Sequence, residues 1–371
     1  MHNPSRCTRY LRIASGAACL LVGAAGAVRA QGGADSTITV TFGAFVDGYY
    51  AWDFGRPRSL DRAYTTQPAR HNEFNVNLAY VEAVLSGTRV RGRLAVQFGT
   101  SVQANYAGEP RVGRYSGDEL ARHLQEAVVG VRLSPTLWLD GGIYLSHIGS
   151  ESWISRDNLT YTRSLIADYS PYYQSGVKLT WQAPPTLSAQ LNVVNGWQVI
   201  SESNAGKAIG GRVDWAAGPT VTLSAYNLIG SETPDSVARQ LRVFQGASIK
   251  LVPSDRVTMV GTFDFGSQDL GDKTGRWYGT SLIARVKATS TVALVGRVER
   301  YDDSDQVLVV TGVRDPFKAS GGSLGVDAAL APRMLWRTEL RGLSASGRIF
   351  PGRDARTSVN AFVVSSLALT F

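Results

Sequence analysis

Cysteine is almost missing from this chain, and histidine is scarce. The two cysteines, Cys7 and Cys19, both fall in the first 30 residues, and the other 341 of the 371 residues hold none. That part can form neither a disulfide nor a thiolate metal site. Of the four histidines, His71, His123 and His147 lie beyond residue 30, far apart and without metal-ligand spacing such as H-x-x-x-H. No phosphate loop or dinucleotide fingerprint occurs, so no cofactor is expected. Gly321-Gly322-Ser323-Leu324-Gly325 has the spelling G-x-S-x-G, but that motif needs a strand-to-helix elbow. Here it sits inside an alternating segment with no helical pattern after it. Enzyme chemistry is not expected; if present, it would use loop residues near His71 or His147. Beyond residue 30 there is also no apolar run of about 20 residues, the length of a membrane helix. No linker divides the chain, and no basic run marks a nucleic-acid surface.

The beginning of the chain is different. Arg6, Arg9 and Arg12 precede an apolar, Ala- and Gly-rich run from Ile13 to Val28, and Val28-Arg29-Ala30 follows. This pattern predicts a cleaved signal peptide over 1–30, with Gln31 as the first mature residue. Cys19 lacks the leucine that precedes a lipidated cysteine, and the apolar run continues past it, so lipid attachment is not expected. Loss of Arg6, Arg9, Arg12 and Arg29 lowers the net charge from +8 to +4. An exported chain with scattered charges is not expected to bind nucleic acid.

Residues 31–371 read as a single domain of alternating strands. Sixteen segments are expected: 38–52, 74–85, 90–102, 121–133, 137–148, 173–182, 187–197, 208–215, 221–229, 239–251, 257–266, 276–287, 292–301, 317–330, 335–344 and 359–371. Between them, short turns such as Ser134-Pro135-Thr136 alternate with longer polar stretches at 53–73, 103–119, 149–172, 198–207, 230–238, 267–275, 302–316 and 345–358. A soluble sandwich has no reason to keep its short turns on one edge. A transmembrane antiparallel up-and-down β-barrel does, with short periplasmic turns and long extracellular loops. Strands of about 10 residues, rising about 3.3 Å each and tilted about 45°, span roughly 23 Å, the height of such a barrel's apolar band.

The faces agree. Val90, Leu94, Val96 and Phe98 oppose Arg91, Arg93 and Gln97; Val177, Leu179 and Trp181 oppose Gln174, Lys178 and Thr180. Sixteen strands enclose a lumen about 30 Å across between backbones, too wide for side chains to fill. The polar face is then expected to line water and the apolar face to meet lipid. Trp181 and Trp215 at one level, and Tyr50 and Trp52 at another, fit aromatic girdles. Two strands resist. With Phe74, Val76, Leu78 and Tyr80 outward, Glu82 falls on the apolar side, so either a bulge lies near Val81 or Glu82 sits at the membrane edge. Strand 239–251 turns Gln245 outward.

The chain closes on Val363-Val364-Ser365-Ser366-Leu367-Ala368-Leu369-Thr370-Phe371, an alternating strand with a terminal aromatic residue. Barrel-assembly machinery reads such ends. Several stretches carry a family resemblance: Phe45-Val46-Asp47-Gly48-Tyr49-Tyr50-Ala51-Trp52-Asp53, Arg70 through Tyr80, Tyr172-Tyr173-Gln174-Ser175-Gly176 and Asn192-Val193-Val194-Asn195-Gly196-Trp197. Together they resemble the β-barrel porin-2 (OmpL-like) family. The resemblance implies an outer-membrane barrel and pore formation. It brings no catalytic residues.

Pore-lining candidates follow from the inward faces: Arg91, Arg93, Asp140, Lys178, Arg212, Asp214, Arg285, Lys287, Arg297, Glu299, Arg337, Glu339 and Arg341. Arg132, Lys250, Asp47, Glu126, Asp264 and Asp327 share that side. The small basic excess predicts a weak anion preference, and acid–base pairing inside the lumen is expected to absorb most of it. By analogy with sixteen-stranded porins, loop 149–172 folds inward and narrows the channel, presenting Glu151, Arg156, Asp157, Arg163 and Asp168. The expected function is passive diffusion of small hydrophilic solutes. Lipid and the assembly machinery are partners, and a homo-oligomer is open. The alternatives are a barrel with a surface, adhesive or envelope-structural role and no open pore, a barrel enzyme, and a secreted all-β protein.

Overall fold

The computed structural model describes residues 28–30, 38–183 and 186–371. The expected leader lies outside the described residues, apart from Val28–Ala30, which pairs antiparallel with Ile38–Val40. The rest is a closed antiparallel barrel of sixteen strands. They are β1 (Ile38–Asp53), β2 (Phe74–Ser86), β3 (Val90–Phe98), β4 (Leu124–Ser134), β5 (Leu137–Leu145), β6 (Tyr173–Ala183), β7 (Leu187–Val194) and β8 (Ala208–Ala216). Then come β9 (Val221–Ser231), β10 (Leu241–Ser254), β11 (Val257–Asp269), β12 (Thr274–Lys287), β13 (Val292–Asp303), β14 (Phe317–Ala331), β15 (Met334–Ala345) and β16 (Val359–Thr370). Each strand pairs with its sequence neighbours, and β16 closes on β1 from Phe362↔Asp53 to Thr370↔Phe45. Phe371 extends the seam, its amide donating to the Ala44 carbonyl at 2.9 Å. Among the described residues, no helix is long and apolar enough to cross a membrane.

Period-two alternation sets the faces. On β13, Leu294 and Val298 are exposed on the outer wall, while Val295, Arg297 and Glu299 are buried inside. Trp181 and Trp215 are exposed outward near the short turns. Gln245 also faces outward, between Asn227 and Phe265.

Three expectations need correction. The first concerns β2: the bulge that returns Glu82 to the inner face is at Asn77, not near Val81. Asp47 pairs with Leu78 and Gly48 with Val76, so Asn77 is the extra residue. Leu78 and Tyr80 therefore point inward, and Glu82 meets Arg93 at 2.7 Å. The second is the strand expected over 90–102, which ends at Phe98, and Thr100–Tyr106 is a helix. The two corrections share a cause. Gly99, at φ +135°, turns the chain inward, Ser101 Oγ donates to the Asn77 carbonyl at 2.6 Å, and Thr100 Oγ1 to that of Val76 at 3.2 Å. The third concerns the polar stretch 267–275. It is no long loop, since β11 and β12 continue to a tight turn at 270–273 in which the Leu270 amide donates to the Lys273 carbonyl at 2.8 Å.

A Cβ on residue 99 would lie 2.3 Å from the Asn77 carbonyl oxygen. Gly99→Ala is expected to cost about 1–3 kcal/mol from backbone strain, before the clash is counted. A lowered urea midpoint for the folded, heat-modifiable band on gels would show it; an unchanged midpoint would contradict this account of the bulge.

Candidate functional site: the barrel interior

Every pore-lining candidate named above projects from the inner face, but few stand free in the lumen. Arg91 forks onto Asp140, Arg93 bridges Glu82 and Glu126, and Arg212 sits 2.8 Å from Asp214. Arg285 and Arg337 share Asp327, at 3.3 and 2.8 Å. Arg341 is bidentate on Glu299, and Arg297 reaches Glu339 at 3.0 Å. Lys178 lies over the Tyr144 ring, 4.6 Å from its centroid. Lys250 and Lys287 are exposed near the periplasmic ends of β10 and β12.

Loop 149–172 meets this wall. Arg337 carries the densest contact: while Nε holds Asp327, Nη1 donates to the Ser155 carbonyl at 2.7 Å and Nη2 to those of Asn158 and Leu159 at 3.1 and 2.6 Å. Glu339 accepts from the Thr162 amide at 2.7 Å, and Glu299 from the Leu165 amide at 2.7 Å. Arg297 donates to the Thr162 carbonyl at 2.6 Å. Two strands on from β15, Asp47 on β1 accepts from Ser155 Oγ at 2.7 Å and from Tyr161 Oη at 3.2 Å. A segment with little regular structure leaves main-chain groups without partners, and buried ones must find donors and acceptors elsewhere. Here the inward charges supply them.

The five loop candidates divide. Arg156 and Asp157 are exposed, with Arg156 bonded to Thr370. Glu151 accepts from Ser164 within the loop. Arg163 is buried, donating to the Ala167 carbonyl at 2.9 Å and lying 3.7 Å over the Tyr172 ring. Asp168 is buried too, accepting from Thr66 at 2.6 Å and Tyr172 at 3.0 Å, and its burial raises its pKa despite nearby Arg341. The expected transverse field across open water thus loses Arg163 and Asp168, which face protein.

Other loops join the same mass. Gln67 Nε2 donates to the Trp153 carbonyl at 3.0 Å, tying 54–73 to 149–172. Glu109 accepts from the Ile200 and Ser201 amides at 2.7 and 2.6 Å and from Tyr173 Oη at 2.7 Å. Aromatic side chains pack between them, Tyr64 against Phe317 and Phe350, and Tyr169 against Tyr301. Sequence reasoning missed this packing. Tyr64, Tyr169 and Phe350 lie in polar stretches whose period gives no face.

The histidines have structural tasks. His147 places Nε2 2.9 Å from the Asn227 carbonyl, and Asn227 Oδ1 in turn takes the Gly211 amide at 2.9 Å. His71 Nδ1 accepts from the Asp53 amide at 2.9 Å and packs on Trp52. Ser323, from the G-x-S-x-G spelling, is buried mid-strand on β14. Among the described residues, no group of His, Cys, Asp and Glu could hold a metal ion.

A sixteen-stranded barrel with charged inner walls and a loop fastened inside it defines the porin class of outer-membrane protein. The model of the family described as "Putative beta-barrel porin-2, OmpL-like" matches residues 39–371, and the chain belongs to that family. No curated protein matches it by sequence. Solved structures share the fold at low identity. The anion-selective porin from Comamonas acidovorans is 12% identical over 90% of this chain and 100% of that one, with a TM-score of 0.57. OmpF of Salmonella typhi, in complex with daunomycin, is 10% identical over 90% of this chain and 98% of that one, with a TM-score of 0.57. The trimer form of OmpT, an outer membrane protein of Vibrio cholerae, is 10% identical over 91% of this chain and 100% of that one, with a TM-score of 0.54. Family and fold together place the chain in a bacterial outer membrane.

Two predictions follow from these contacts. Arg337→Ala leaves Asp327 with one partner fewer and frees three loop carbonyls, an expected loss of about 3–5 kcal/mol for a broken buried ion pair. Arg337→Lys is not expected to restore it, because an ammonium cannot fork to four acceptors. Equilibrium unfolding in urea measures both, and full stability of either variant would refute the anchoring role. For His71, burial first, then Arg62 and Arg56, lower the imidazole pKa, with Asp53 opposing. The neutral ring's hydrogen bond therefore stabilises the fold fully above the ordinary pKa, about 6.5, and is lost as pH falls through the lowered folded value. The stability advantage of wild type over His71→Phe is expected to shrink from pH 7 to pH 4; a constant difference would contradict it.

Proposed function

We propose that this protein is a porin through which small hydrophilic solutes diffuse passively, with loop 149–172 setting the narrowest passage. The observation that carries this reading is the attachment of the loop main chain to inner-wall charges, above all Arg337, Glu339 and Glu299. No catalysis is required. Residues 1–30 serve as the export leader, Phe371 as the end read by assembly machinery, and lipid surrounds the outer wall. The trimer form named for OmpT supports a homo-oligomer.

Exposure within the ion pairs supports an anion preference. The Arg91 side chain is 33% exposed and Asp140 4%; Arg285 is 28% exposed and Asp327 2%. Arg212 and Asp214, at 19% and 29%, run the other way, so the bias is modest. Lys250 and Lys287 add to it at the periplasmic mouth. The anion selectivity named for the Comamonas porin agrees.

A second reading, a barrel with no open pore and a surface or envelope role, draws on the interlocked loops. Gln67 bonds to the Trp153 carbonyl, the Ile200 amide bonds to Glu109, and the Trp153 ring packs on Tyr106 between the two pairs of loops. Planar-bilayer conductance separates the two. Stepwise ohmic openings, larger when 151–168 is deleted, are expected of the porin. Silence from a folded barrel would select the second reading, and an unchanged conductance after deletion would reject the constriction. Reversal potentials in a salt gradient should favour anions at low salt and fade above about 0.15 M, where screening acts over about 8 Å.

A further inference from the structure

The outer wall is apolar over most of its height, but not at the extracellular ends of β12, β13 and β14. On β13 the outward series reads Leu294, Gly296, Val298, Arg300, Asp302. On β14 it descends through Lys318, Ser320, Gly322 and Leu324, and on β12 through Arg276, Tyr278, Thr280 and Leu282. Strand register sets Tyr278, Asp302 and Lys318 side by side, with Thr280, Arg300 and Ser320 in the next outward row.

One carboxylate oxygen organises the group. Asp302 Oδ2 lies 3.4 Å from Tyr278 Oη, 3.8 Å from Lys318 Nζ and 3.9 Å from Arg300 Nη2, and Oδ1 is held by Ser304. Arg300 Nη1 donates to Ser320 Oγ at 3.2 Å. The cations stand forward of the acid: side-chain exposure is 53% for Arg300 and 37% for Lys318, against 11% for Asp302. Arg276, two residues before Tyr278, is exposed one level higher. The next acid, Asp305, belongs to that upper level: it accepts from the Arg276 amide at 3.1 Å and pairs with Lys273 at 2.7 Å. Around Asp302 the cluster thus carries two positive charges and one negative, on the side of the wall that meets lipid.

Cations on a barrel's lipid face are costly at mid-bilayer and tolerated at its edges. Tyr278 marks such an edge, since aromatic rings settle at the headgroup level. A guanidinium and an ammonium gathered around one anionic oxygen, with a tyrosyl and a seryl hydroxyl beside them, suit the several acceptor oxygens of a phosphate group. We propose that Arg300 and Lys318, with Tyr278 and Ser320, form an external site for the phosphate-bearing headgroup of an outer-leaflet lipid. The site faces outward, directly above the apolar band, where an acyl chain continues down the wall past Leu282 and Val298. It rests on the family's membrane orientation and is independent of whether the pore conducts.

The test uses the full-length refolded protein in detergent, titrated with bis-phosphorylated lipid A and read by native mass spectrometry of retained lipid. Arg300→Gln and Lys318→Gln are each expected to weaken binding about fivefold, and the double variant about twenty-fivefold, the loss expected for each basic side chain near an anionic membrane surface. Arg300→Lys, which keeps the charge, should retain most of the affinity. Heat-modifiable migration confirms that each variant is folded. Enzymatically dephosphorylated lipid A should bind the wild type no better than the double variant does. Equal binding by wild type and folded double variant would overturn the proposal, as would equal binding of dephosphorylated lipid. Full displacement by millimolar inorganic phosphate would assign the site to a free anion and likewise overturn it.

Discussion

A backbone in lipid has no water to bond with, so every amide and carbonyl must be satisfied within the protein. The rest of this structure depends on that constraint. It demands a closed ring, the ring demands that β16 pair with β1, and that pairing fixes the side on which each residue stands. Alternation then does two things at once. It delivers Leu294 and Val298 to the outer wall and Arg297 and Glu299 to the inner one. A single extra residue would invert a strand, and the bulge at Asn77 shows how one is absorbed. The carbonyl it frees is taken by Ser101 rather than by solvent.

The inner charges gain a purpose from the same rule. Loop 149–172 has buried peptide groups and only two short helical turns of its own. Arg337, Arg297, Glu339 and Glu299 act as substitute ladder partners, supplying donors and acceptors where a neighbouring strand would have done so. Their exposure to the lumen is spent on holding the loop. Charges at the periplasmic end, among them Arg91, Arg285 and Lys287, hold no part of the loop and stay more exposed.

Most of the barrel was legible because its signals are local. Arg91 and Arg93 alternate with Val90 and Leu94 within five residues, and the Pro- and Gly-bearing turns sit between such runs. What escaped was non-local. The bulge at Asn77 depends on Gly99 and Ser101, which lie beyond the end of the next strand, more than twenty residues on. The polar stretch 267–275 resembles a loop, yet β11 and β12 run on above the membrane, where outward positions such as Ser267 and Arg276 can be polar. The inward facing of Arg337 could be read from period two. Its three carbonyl partners could not, because they lie in a loop well over a hundred residues earlier. The same holds for Arg163 and Asp168, whose charges were visible but whose burial was not.

The seam between β1 and β16 has a kinetic side. Asp53 waits for Phe362, a partner from the far end of the chain. Loop closure over such a separation is entropically costly, and contacts of this kind slow folding. Until the last strand arrives, any partial sheet carries two unpaired edges, each a template for another chain. A chain released into water before Phe371 is synthesised would therefore have edges to offer and nothing of its own to cover them.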